Sequence, residues 1–116
     1  MNRLDGIVNR MTAFLLAAAI ASEVIGTLAL KASDGFTRPL PATIVVVGYG
    51  VAFWLLALVL KHLSVGTTYA IWSAVGTAAI ALIGMVAYGE AANALKLASL
   101  GLIVLGVVGL NAAGGH

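Results

Sequence analysis

Four apolar stretches, separated by short polar connections, account for most of the chain. They cover about residues 11–31, 40–61, 67–88 and 94–113. A helix needs about 20 mainly apolar residues to cross the hydrocarbon of a bilayer. None of the four alternates with period two, as the strands of a membrane barrel do. The pattern therefore predicts an all-α membrane protein, four transmembrane helices in one domain over residues 1–116. The connections agree. Residues 32–41 hold Asp34-Gly35, Pro39 and Pro41, which are turn and helix-start signals. Residues 62–66 leave room only for an antiparallel helix hairpin. Residues 89–93 end on Asn93, placed to cap the fourth helix. Residues 1–10 read as a polar leader, interfacial or frayed, and the tail Gly114-Gly115-His116 has little to fold.

Arg3 and Arg10 ahead of an apolar run through Ala19-Ile20-Ala21 also have the look of a secretory signal. That run continues to Leu30, and three more spans follow. Cleavage would leave three spans without the acid of the first, so the uncleaved reading is preferred.

Composition supports the membrane reading. The chain has 116 residues, 62% hydrophobic and 9% charged, with a mean hydropathy of +1.12. A soluble domain carries about 25% charged residues. The isoelectric point of about 9.3 rests on six scattered Lys and Arg, so it does not point to nucleic acid. With no cysteine, disulfides and thiolate chemistry are excluded. His62 has no second histidine or acid nearby. No Ser/His/Asp set, phosphate-cradling glycine loop or metal-ligand cluster is evident, so neither an enzyme nor a cofactor is expected. With four spans both termini share one side. Arg3, Arg10 and Lys61 then face Lys31, Arg38 and Lys96, three against three. Without a positive-inside bias, weak or dual orientation is expected.

The candidate chemistry centres on Glu23, the single charge between Arg10 and Lys31. It falls near mid-span, where an ionisable side chain is costly and marks a functional site by default. Packing would be served more cheaply by Ser, Thr or Asn. Residues three, four and seven away share its helical face: Leu16, Ala19, Ile20, Gly26, Thr27 and Leu30, mostly small or apolar. Low-dielectric surroundings favour the protonated form of a carboxyl. No Lys or Arg in the interior of a span can neutralise it, so its partner is a proton or a cation brought from outside.

Aromatics supply a second element. Tyr69 and Trp72 lie three apart on the third span, with Ser73 and Gly76 continuing their face, and Tyr49, Phe53 and Trp54 group on the second. Rings beside a buried anion suit a lipophilic cation. Trp and Tyr also populate the interfacial belts of membrane proteins, and both readings stand at this point. On the fourth span Ser99, Gly106, Gly109 and Ala113 are spaced seven, three and four apart, as in a helix–helix contact face. One four-helix chain is small for enclosing a substrate, so this span is read as a dimer contact.

Ser22-Glu23-Val24-Ile25-Gly26-Thr27, Lys31, Gly35-Phe36-Thr37-Arg38, Tyr69-Ala70-Ile71-Trp72-Ser73 and Asn111 together resemble the small multidrug resistance family, over nearly all the chain after the leader. The resemblance implies an antiparallel homodimer of four-helix subunits in the bacterial inner (plasma) membrane, exchanging protons for cationic compounds; some members pair with a paralogue instead. It implies that Glu23 binds proton and substrate alternately, with Tyr49, Tyr69 and Trp72 lining the cation site. One branch of the family exports guanidinium and carries glycine three before the acid and tryptophan three after. Here those positions are Ile20 and Gly26, as in the branch that exports quaternary ammonium and aromatic cations. Two departures stand out. The third span has Ala74-Val75-Gly76 where Gly-Val-Gly is frequent, leaving Gly76 as the hinge candidate. The fourth has Ser99 and Gly106 in place of a seven-spaced glycine pair. The function expected is proton-coupled export of lipophilic cations. A guanidinium exporter and a non-transporting membrane subunit packed on a partner are the alternatives.

Overall fold

The computed structural model describes residues 3–113, with side chains described from residue 9 onward. It contains four helices: α1 (Arg3–Ala32), α2 (Pro39–Val59), α3 (Val65–Ala87) and α4 (Ala94–Ala112). Each contains a stretch long and apolar enough to cross a membrane, of 24, 21, 23 and 19 residues in order. At 1.5 Å rise per residue these measure about 29 to 36 Å, against a hydrocarbon core of about 30 Å. Large apolar side chains are exposed along all four helices, among them Phe14, Val46, Val86 and Leu102. Helices apolar all round suit a solvent of acyl chains rather than water.

The helix ends follow local chemistry. Pro39 opens α2, where its missing N–H is no loss, and the Thr43 hydroxyl donates to the Pro39 carbonyl at 2.8 Å. Asn93 caps α4, its Oδ1 accepting from the Lys96 amide at 2.8 Å, as its position predicts. Ser64 caps α3 by accepting from the Thr67 amide at 3.3 Å, so this helix starts two residues before the expected point. Past the C-cap Tyr88, Gly89 takes φ +66°, the left-handed geometry that ends a helix most cheaply at glycine. The clearest departure is at the N-terminus. The leader, expected to be interfacial or frayed, is helical from Arg3, since one hydrogen bond per added residue sustains a helix already nucleated. The side chains of Arg3 and Asp5, and the tail Gly114-Gly115-His116, lie outside the described residues.

The helices fall into two compact units, one holding α1 and α2 and the other α3 and α4. In the first, α1 packs on α2. Thr12, Leu16, Ala19, Ile20, Val24, Gly26 and Ala29 are buried on α1, at the three- and four-residue steps of one helical face. On α2 the buried positions are Val45, Ala52 and Val59, seven apart, as expected of a seam between long helices. In the second unit α3 contacts α4, and α4 has no buried residue.

Candidate functional site: an acid and two hydroxyls

In the first unit Thr27 lies one turn beyond Glu23, and its hydroxyl donates to Glu23 Oε1 at 2.9 Å. The same Thr27 oxygen is 2.9 Å from the Tyr49 hydroxyl of α2. A threonine hydroxyl has one proton. With that proton given to Glu23, Tyr49 must donate to Thr27, and the bonds run Tyr49 to Thr27 to Glu23. All three side chains are half-buried. The cations of the same helix are distant: Arg10 and Lys31 stand about 20 and 12 Å away along its axis. Lys96, in the first turn of α4, donates to the Ala91 carbonyl at 2.9 Å. The carboxyl is thus held by a neutral side chain that can donate to its ionised form or accept from its protonated one.

Two glycines bring Tyr49 to this place. A Cβ on Gly26 would stand 2.9 Å from both Cδ1 and Cε1 of Tyr49, so the ring is seated on bare backbone. A Cβ on Gly48 would meet the Ser22 carbonyl oxygen at 3.0 Å and the Cα and N of Gly26 at 3.2 Å. The backbones of α1 and α2 therefore approach closely beside Glu23. Tyr49 and Thr27 are both expected site residues. Their direct link is not readable from the chain, because it depends on the register between two helices. Gly48 was missed altogether; the only signal was a small residue inside an apolar run. The other flank of the seam forms an open groove of about 290 Å³, lined by Ser22, Ile25, Thr43, Ile44, Val47, Gly48 and Val51 and by none of the acid–hydroxyl trio.

The remaining expected residues are placed as follows. Leu16 and Ala19 are buried, while Phe53 is exposed on α2. In the second unit the Tyr69 and Trp72 rings meet edge to face, with centroids 5.9 Å apart at 81°. Tyr69 is 63% exposed, Trp72 is half-buried, Ser73 is exposed and Gly76 is buried. Ser99, Gly106 and Gly109 are exposed on α4. The Ser99 hydroxyl donates to the Leu95 carbonyl at 2.8 Å, and a Cβ on Gly106 or Gly109 would meet nothing within 4 Å.

Fold and site together define a multi-pass, all-α membrane protein with a hydroxyl-bound acid inside its first helix pair. The model of the Small Multidrug Resistance protein family matches residues 11–103. The quaternary ammonium compound-resistance protein QacE of Escherichia coli is 48% identical over 96 residues, 83% of this chain and 87% of that protein. The multidrug resistance protein Mmr of Mycobacterium tuberculosis is 48% identical over 102 residues, 87% of this chain and 95% of Mmr. A multidrug transporter of Pseudomonas aeruginosa is 48% identical over 99 residues, 84% and 90% of the two chains. The chain belongs to the small multidrug resistance family and is a multi-pass bacterial membrane protein.

Proposed function

We propose that the protein is a multidrug efflux transporter, a proton-coupled antiporter that exports lipophilic, aromatic and quaternary ammonium cations. The observation that carries this is Glu23, a mid-span carboxyl whose hydrogen-bond partner is the Thr27 hydroxyl rather than a cation. A carboxyl so placed relieves the cost of its charge by taking a proton or by holding a cation. The two choices exclude one another. A cation enters after protons leave, and returning protons release it, so one site couples the two flows. The names of the relatives, for quaternary ammonium resistance and multidrug transport, favour bulky organic cations and a transporter rather than an enzyme.

The working unit in this reading is an antiparallel homodimer. Exposed small residues on α4, Ser99, Gly106 and Gly109, supply the contact face, and the balanced loop charges allow both orientations. Two copies of Glu23 then share one chamber. Tyr49, Tyr69 and Trp72 offer ring faces to the cation, with Thr27, Leu16, Ala19, Gly26, Phe53 and Ser73 around them. Exchange of conformations between the two subunits turns the chamber from one side of the membrane to the other.

The test is transport in liposomes. Glu23→Gln abolishes uptake of tetraphenylphosphonium driven by a pH gradient, while Glu23→Asp still binds it with an altered pH dependence. Uptake by Glu23→Gln at the unmodified rate would overturn the coupling. Preference for guanidinium over tetraphenylphosphonium would overturn the substrate class.

A further inference from the structure

We infer that Phe36 is a membrane-surface anchor, its ring seated at the edge of the acyl chains where the first helix pair turns. The six residues 33–38 join two candidate spans, Asn9–Ala32 and Pro39–Val59, so they lie at one face of the bilayer. Ser33, fully buried, fixes their path. Its hydroxyl donates to the Leu30 carbonyl at 2.7 Å and accepts the Phe36 amide at 3.0 Å. Its carbonyl accepts the amides of Thr37 and Arg38 at 3.0 and 3.1 Å and the Thr37 hydroxyl at 3.3 Å. The loop held this way has three successive residues at positive φ: Asp34 at 51°, Gly35 at 69° and Phe36 at 67°.

Glycine adopts that region freely and aspartate tolerates it, but a bulky side chain there is strained. A glycine or asparagine at position 36 would make the same turn with less strain. Phe36 is also 58% exposed, so packing within the chain does little to offset the strain. A rigid loop therefore presents an aromatic ring outward, at the level where a bilayer changes from water to hydrocarbon. Acyl chains are the surroundings that reward an apolar ring at that depth. Arg38, exposed two residues on, stands at headgroup level, where a guanidinium meets lipid phosphate. The ring thereby sets the depth at which the first pair, and Glu23 within it, rests in the membrane.

The absence of cysteine gives a direct test. Phe36→Cys and Asp34→Cys each carry one nitroxide label in full-length protein, reconstituted into phosphatidylethanolamine–phosphatidylglycerol vesicles. The ratio of oxygen to aqueous nickel-chelate accessibility should be about threefold or more higher at 36 than at 34. An equal ratio would place the position in water and overturn the proposal. Shielding of the label at 36 from both reagents would also overturn it, since a protein surface such as a second copy would then cover the site. A further variant tests the ring itself. Adding Phe36→Gly to the Asp34→Cys protein should raise nickel accessibility at 34 about twofold as the loop loses its hold. No change there would show that the ring anchors nothing.

Discussion

Thr27 has one proton to give, and the direction in which it gives it depends on the state of Glu23. While the acid is ionised, Thr27 donates to it. Thr27→Val removes that donor, so the carboxylate proposed to hold the cation loses its hydrogen bond and cation binding at a fixed pH should weaken. A hydrogen bond to a charged group contributes about 1.5 kcal/mol or more, so the loss should be about tenfold. Thr27→Ser keeps the hydroxyl and should stay close to the unmodified affinity. Equilibrium binding of tetraphenylphosphonium to purified protein checks both. In the proposed exchange protons and cation compete for one carboxylate, so apparent affinity should fall as pH falls, in Thr27→Ser as in the unmodified chain. Glu23 was legible because a lone charge inside an apolar run is anomalous by itself. The Tyr49 contact was not, because nothing in the chain states which residue of α2 stands opposite Thr27.

The helices were legible as elements because their length and apolar content match a bilayer, and Asn93 marked one start. Ser64 was overlooked because the acidic residue that completes a capping box is absent three positions later, where Thr67 stands. What the chain conceals is how closely the helices approach. A Cβ at Gly48 would meet backbone atoms of Ser22 and Gly26 at 3.0 to 3.2 Å, and backbone cannot move aside as a side-chain tip can. Gly48→Ala should destabilise the first pair by about 1 to 3 kcal/mol, read as a lower melting temperature in detergent. At the Phe36 turn, left-handed geometry costs a bulky residue about 1 to 2 kcal/mol. Burying a phenylalanine ring gains about 1.5 to 3 kcal/mol, enough to offset that strain. On α4, Gly106→Leu and Gly109→Leu add bulk where a Cβ meets nothing within the chain. Folded monomer should persist while the dimer is lost, which chemical cross-linking in membranes would show.

In the proposed antiparallel pair assembly depends on orientation, and orientation rests on very few charges. Three basic residues on each side give no positive-inside bias, so in this reading neither face is preferred. Ala91→Lys with Ala92→Lys should bias the loops after α1 and α3 toward the cytoplasm, and reporters fused to the C-terminus would show it. Such a chain should transport poorly alone, because an antiparallel pair needs both orientations. Co-expression with a chain carrying His62→Lys and Leu63→Lys, biased the other way, should restore transport. The charge count is the feature of the chain from which this expectation comes. The proposed pairing of subunits, in contrast, rests on surfaces that are exposed on the single chain, such as Ser99, Gly106 and Gly109.

The absence of room for a Cβ at Gly48 beside the Ser22 carbonyl has a mechanical corollary. Two rods with no side chain between them at one point can share a fulcrum there. Were α2 to rock on α1, its ends would sweep the widest arcs, while atoms next to the pivot would scarcely shift. The acid and its two hydroxyls lie beside that pivot, so a gate could swing at either end without disturbing them.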